Sequence, residues 1–219
     1  MTLQLVVFDC DGVLVDSEPI ACAVVSETLA TLGIVVSEAQ IAERYIGLSA
    51  ASMYADLESR HGVALDELAR QRISAAVDER LAATVPAMPG VAAAIDTLVP
   101  RHRVCVASSG TPVRIRGSLQ RAGLWPRFEG RVFSATQVAR GKPAPDLFLF
   151  AAERMGVDPA HCLVVEDSLA GVTAARAAGM RCLGFTGGGH VRAGHGPRLL
   201  EAGAFATFDA MADLPQLAR

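Results

Sequence analysis

The chain has 219 residues, 51% of them hydrophobic and 20% charged, with a formal charge of -3. That suits a soluble globular protein with a sizeable core and leaves no electrostatic footprint for nucleic acid or a membrane surface. No apolar run approaches the roughly 18–20 residues that span a bilayer, no signal-like segment opens the chain, and aromatics at 5% argue against an all-β fold.

The first element is the apolar run over residues 3–8, which reads as a fully buried strand of a parallel sheet. It leads into Asp9-Cys10-Asp11-Gly12. If the extended geometry persists, Asp9 and Asp11 share a side while Cys10 points away into the core. Gly12 permits a tight turn. A carboxylate pair at the carboxyl end of a first strand stands where open α/β sheets place ligands. Burying two like charges there calls for a cation or a shared proton. The pair therefore reads as a metal-assisted catalytic site, the alternative being a solvated acidic turn.

Residues 18–85 contain no convincing strand and read as helices over 20–32, 38–45, 50–61 and 65–83. Ser17 and Ser37 are expected N-caps, with Pro19 tolerated in the first turn. Pro86-Ala87-Met88-Pro89-Gly90 returns the chain to the core. Beyond it, strands are expected over 103–107, 132–134, 162–166 and 181–185, with a short one near 204–207. Helices fit 91–98, 112–122, 145–155, 170–178 and 211–217, and Gly123, Gly156 and Gly179 follow three of them as C-terminal caps. The glycine-rich stretch from Gly187 to Gly196 reads as a flexible loop. Alternating strands and helices predict an α/β protein with a doubly wound parallel sheet. A helical-bundle domain over 18–85 is inserted into a core of 1–17 and 86–219, placed as a lid over Asp9 and Asp11.

Three more segments fall at predicted strand ends. Ser108-Ser109-Gly110-Thr111 precedes Pro112 and offers hydroxyls and free N–H groups to an anion, or simply caps a helix. Lys142 is held between Gly141 and Pro143, which fixes its direction; the plainer reading is a surface charge. Glu166-Asp167-Ser168 repeats the acidic pair. Four carboxylates on one sheet edge would repel one another, and a hard divalent cation with oxygen ligands, Mg²⁺, resolves the conflict. The five cysteines, Cys10, Cys22, Cys105, Cys162 and Cys182, have neither metal-ligand nor redox spacing and read as buried hydrophobes in a reducing cytoplasm.

The ordered set Asp9-Cys10-Asp11-Gly12, Ser108, Lys142 and Glu166-Asp167, each after a strand, resembles the haloacid dehalogenase superfamily in its phosphatase and phosphomutase branch. The resemblance covers essentially the whole chain, helical cap included. It implies Asp9 as the nucleophile forming an aspartyl-phosphate and Asp11 as general acid and base. It implies Lys142, Ser108 and the Ser109 N–H as holders of the phosphoryl group. Mg²⁺ would be bound by Asp9, Asp167, the Asp11 carbonyl and Glu166, the last directly or through a water. The cap loop over 45–49, with Gly47 and Ser49, would contact substrate. Asp11 speaks against dehalogenation, whose halide leaving group needs no proton, and a cap without lysine speaks against the phosphonate-hydrolysing branch. Ala50 and Ala21 stand where the β-phosphoglucomutase type carries Arg and His, which favours a hydrolase over a mutase.

The resulting expectation is a cytoplasmic, monomeric, Mg²⁺-dependent phosphatase of small phosphorylated metabolites, sugar or sugar-acid phosphates. The alternatives are a phosphosugar mutase and a non-catalytic metabolite-binding protein. Glu18 reads as a helix N-terminal charge and Trp125 as a packing anchor. His190 and His195, without acidic or cysteine neighbours in sequence, are set aside as metal ligands.

Overall fold

The structure is a computed structural model that describes residues 2–45 and 50–218. The chain opens with β1 (Leu5–Phe8), then four helices, α1 (Glu18–Thr31), α2 (Glu38–Tyr45), α3 (Ala50–His61) and α4 (Glu67–Thr84). It continues through α5 (Val91–Leu98), β2 (Arg103–Ser108), α6 (Pro112–Arg121), β3 (Val132–Ser134), α7 (Asp146–Met155) and β4 (Cys162–Glu166). It closes with α8 (Leu169–Ala177), β5 (Arg181–Phe185), α9 (His195–Ala202), β6 (Ala206–Phe208) and α10 (Leu214–Leu217).

The six strands form one sheet in the order β3-β2-β1-β4-β5-β6, with every neighbouring pair parallel. The α/β, doubly wound expectation holds. From β1 the order runs outward one way through β2 and β3 and the other way through β4 to β6. The crevice at the carboxyl ends of β1 and β4 is thus the topological switch point, where such sheets bind ligands. Register places Phe8 beside both Val106 and Val165, so the residues that follow all three strands meet there.

Both faces of the sheet are buried, as parallel sheets require. Val6, Phe8, Val104, Val106, Leu163, Val165 and Phe185 pack on one face. Leu5, Val7, Cys105, Ala107, Val164 and Cys182 pack on the other, against α7 and α8 side chains such as Phe148 and Val172. The first of these layers continues without a break into the four-helix insertion through Val24, Leu29, Leu57, Ile73 and Leu81. The two crossings between sheet and insertion run side by side, with Asp16 N–H donating to Pro86 O (3.1 Å) and Met88 N–H to Leu14 O (2.9 Å).

Several local expectations shift for identifiable reasons. Ser17 makes no capping hydrogen bond, because its backbone is already helical (φ -86°, ψ -29°) rather than extended. Ser37 does cap, exchanging hydrogen bonds with Gln40 at 3.0 and 3.3 Å. The fourth helix begins at Glu67 because the Asp66 side chain accepts from Ala69 N–H. The last helix is split into a 3-10 turn at Met211–Asp213 followed by α10. Helix α9 was not expected, since Gly196 and Pro197 sit in its first turn and mask the pattern that buries Leu199. Gly123, Gly156 and Gly179 all have φ between 65° and 72°, as C-terminal caps should. All five cysteines are free and buried.

Candidate active site

Strand ends build the site. Asp9 continues β1, its N–H still bonded to Val165 O at 3.0 Å, and its side chain meets those of Glu166 and Asp167 from the end of β4. One carboxylate oxygen from each of the three lies within 4.8 Å of the others, and all three residues are buried. Lys142, which follows β3 and precedes a cis peptide bond to Pro143, reaches into this group from the far side. Its Nζ donates to Asp9 Oδ1 at 2.8 Å, Glu166 Oε1 at 2.7 Å and the Ala107 carbonyl at 3.1 Å, over the Phe148 ring.

The electrostatics follow from that arrangement. Burial, together with the Glu166 and Asp167 charges, raises the Asp9 pKa well above the ordinary carboxylate value against the opposing pull of Lys142. Burial and Glu166 do the same to Asp167. Burial alone would lower the Lys142 pKa, but Asp9 and Glu166 outweigh it and hold the ammonium charged. Three carboxylates against one ammonium leave buried negative charge uncompensated, and the donors are hard oxygens. The group fits metal binding and suits a hard divalent cation.

Glu166 is fully engaged. Oε1 accepts from Lys142, while Oε2 accepts from the Ser168 N–H and hydroxyl at 2.8 and 2.9 Å. Asp11 lies apart from the trio, with Oδ1 3.5 Å from Arg114 Nη2 and without a hydrogen-bond partner. Cys10 between the aspartates is buried in the core, as strand alternation predicts. Ser108 is buried at the end of β2 and its Oγ accepts from Gly110 N–H at 3.1 Å; Ser109 is exposed. Gly47 and Ser49 lie outside the described residues.

Four residues that sequence reasoning passed over or discounted also come here. Arg114, in the first turn of α6, stands between Asp11 and Asp78 of α4, at 3.5 and 3.8 Å. Its place three residues after Thr111 was the available signal, since helix side chains lean toward the N-terminus. Burial and the Asp11 and Asp167 charges raise the Glu18 pKa to about 7. The glycine-rich loop is closely packed against the site, and its His190 Nε2 lies 2.9 Å from Asp167 Oδ2. His195 Nε2 lies 2.6 Å from the Asp167 carbonyl. The loop follows β5, neighbour of β4, so strand order was the clue to both histidines.

Fold and site together define an α/β enzyme with a buried acidic cluster at its switch point. The model of the haloacid dehalogenase-like hydrolases matches residues 3–179. The chain is similar to 6-phosphogluconate phosphatase of Escherichia coli K12, 28% identical over 98% of this chain and 94% of that one. Hexitol phosphatase B of the same organism is 30% identical over 81% of each chain. The crystal structure of a haloacid dehalogenase-like protein of unknown function from Agrobacterium tumefaciens matches with a TM-score of 0.88 and 38% identity, over 98% of this chain and 97% of that one. The chain belongs to the haloacid dehalogenase-like hydrolases and is a phosphoric monoester hydrolase.

Proposed function

We propose that this enzyme removes phosphate from small sugar or sugar-acid phosphates through an aspartyl-phosphate on Asp9. The observation that carries the reading is Lys142, held between Asp9 and Glu166 at the switch point and beside Asp167. The charged lysine opposes the burial and the neighbouring charges that raise the Asp9 pKa, and so favours the ionised form that a nucleophile needs. The Asp9 carboxylate attacks phosphorus while the ester oxygen departs. Asp11, whose Oδ1 has no competing hydrogen bond, gives that oxygen its proton. It then takes a proton from the water that cleaves the acyl phosphate, freeing inorganic phosphate and restoring Asp9.

Ser108 and the Ser109 N–H hold a phosphoryl oxygen at the end of β2, and the Lys142 charge, its three N–H groups engaged by Asp9, Glu166 and the Ala107 carbonyl, attracts the phosphoryl group. Asp9, Asp167 and the Asp11 carbonyl hold a divalent cation, Mg²⁺, and Glu166 contributes indirectly because both its oxygens are taken. When bound, the ion offsets the charge that would repel a phosphate from the carboxylates. Residues 18–85 serve as a cap over the core of 1–17 and 86–219, hinged at the paired crossings. The sugar-phosphate class is supported by the 6-phosphogluconate and hexitol phosphatases that this chain resembles. Five free, buried thiols agree with a cytoplasmic enzyme.

The test is phosphate release with Mg²⁺ across a panel of sugar, sugar-alcohol and sugar-acid phosphates, with products identified. Rapid release from a few members, abolished in a folded Asp9→Asn variant, is expected. Conversion of β-glucose 1-phosphate to the 6-phosphate with little phosphate freed would replace the reading with a mutase.

A further inference from the structure

Two histidines from one loop converge on a single acidic residue. The loop between β5 and α9 folds back over the carboxyl end of the sheet, and Gly189 N–H donates to Asp16 Oδ1 at 3.0 Å, tying it to the β1–α1 connection. His190 is 6% exposed. Its Nε2 lies 2.9 Å from Asp167 Oδ2, yet neither ring nitrogen has a directed hydrogen bond among the described residues. A buried imidazole in that condition is costly as mere filling, and an apolar side chain would fill the space without that penalty. His195, the first residue of α9, approaches the same residue from its main-chain side, with Nε2 2.6 Å from the Asp167 carbonyl. A carbonyl only accepts, so the ring donates from Nε2. The two rings pack edge to face at 6.3 Å.

Glycines make this approach possible. At Gly12 a Cβ would collide with Asp167 Oδ2 and lie 3.0 Å from the His190 ring. At Gly188 it would come within 2.7 Å of that ring and 3.2 Å of the Gly12 carbonyl. The Asp9–Gly12 turn, the end of β4 and the loop after β5 therefore approach one another closely at Gly12 and Gly188.

We propose that His190 and His195 are positioning residues of the metal centre, His190 confining the Asp167 carboxylate by its close approach to Oδ2 and His195 holding the Asp167 main chain through the carbonyl hydrogen bond. The proposal rests on the reading of Asp167 as a metal ligand. A ligand carboxylate free to rotate presents its oxygen only part of the time. One confined by a close neighbour at its second oxygen has fewer orientations open to it, and loss of such an outer partner typically weakens metal binding about 10–100-fold.

The experiment is calorimetric titration of the full chain with Mg²⁺ and with Mn²⁺, for the parent, His190→Ala, His190→Gln and His195→Ala. The parent should bind one ion, and His190→Ala should bind it about 10–100-fold more weakly. His190→Gln, which keeps a buried donor, should recover part of the loss, and His195→Ala should show a smaller one. If His190→Ala does not fold, His190→Gln and His195→Ala still decide, since each should weaken binding. Unchanged metal affinity in the folded variants, with only a lower melting temperature, would overturn the proposal and leave the histidines as packing. A parent that binds neither ion would overturn the metal reading itself, a separate result.

Discussion

Lys142 and Asp9, 133 residues apart in sequence, meet at 2.8 Å with the lysine side chain 4% exposed. The same ammonium holds Glu166 at 2.7 Å, so one cation stabilises two buried anions. Lys142→Met removes the cation and keeps the stem's bulk. Breaking a buried ion pair from one side costs about 3–5 kcal/mol, so the urea midpoint should fall sharply and phosphate release should vanish. Adding Glu166→Gln should restore part of the lost stability by removing one stranded charge, a positive coupling in a double-mutant cycle. Equal midpoints for Lys142→Met and the parent would show that these carboxylates are not held by the lysine.

Gly171, the third residue of α8, is where the sequence conceals a steric requirement. A Cβ there would fall on the Glu166 carboxylate. That carboxylate has little room to move, being held by Lys142 and by the Ser168 N–H and hydroxyl. Gly171→Ala, favourable for an isolated helix, should instead destabilise by about 1–3 kcal/mol through overpacking. It should also slow turnover by shifting Lys142. Thermal melts beside a kinetic assay decide; a raised melting temperature with full activity would mean that the helix start yields freely.

Arg114 links the core to the insertion. Its guanidinium lies 3.5 Å from Asp11 and 3.8 Å from Asp78, while Arg114 Nε, Asp78 Oδ1 and Asp11 Oδ1 all lack hydrogen bonds. These are loose ion pairs, without directed hydrogen bonds. Arg114→Ala should lower kcat/KM about tenfold to a hundredfold by releasing the Asp11 side chain. Asp78→Asn should cost less, because it leaves the Asp11 contact in place. Steady-state kinetics on the best substrate of the panel measure both; a larger loss in Asp78→Asn would move the guanidinium's role to the insertion.

Much of this was legible because strands and their ends carry simple patterns. Parallel strands buried on both faces read as unbroken apolar runs, so residues 162–166 and 181–185 are strands in the structure as expected. Chemistry placed directly after such runs could be numbered from sequence, which is how Asp9, Glu166 and Asp167 were singled out, while Lys142 was marked by its place between Gly141 and Pro143. Orientation within a cluster was not legible. Nothing local says that Glu166 spends both oxygens on Lys142 and Ser168, or that Asp11 faces Arg114 rather than the other carboxylates. The histidines were discounted for lack of acidic neighbours in sequence, yet their acidic neighbour, Asp167, arrives from the adjacent strand. The loop composition that suggested flexibility instead reflects close packing, with Gly187, Gly188 and Gly189 where side chains would strike the Asp209 carbonyl, His190 or Asp16.

Glu18 offers a test of the site's charge balance through pH. Burial first, then the Asp11 and Asp167 charges, raise its pKa from 4.5 to about 7, against smaller opposing effects of His190 and Arg114. The folded state therefore keeps a proton that the unfolded state has released over that window. Where the folded state binds more protons, stability falls as pH rises. The loss should accrue between about pH 4.5 and 7 and stay constant above. Glu18→Gln keeps the shape without the charge. In metal-free protein it should be the more stable form above pH 7, by at most about 3 kcal/mol, with the two forms converging near pH 4.5. Urea midpoints in a chelating buffer across that range measure the difference. If Glu18→Gln were the less stable form at pH 8, the Glu18 carboxylate would be compensated in the fold, with Arg114 its partner. If the gain seen without metal vanished on adding Mg²⁺, the ion would be supplying the positive charge that these carboxylates lack.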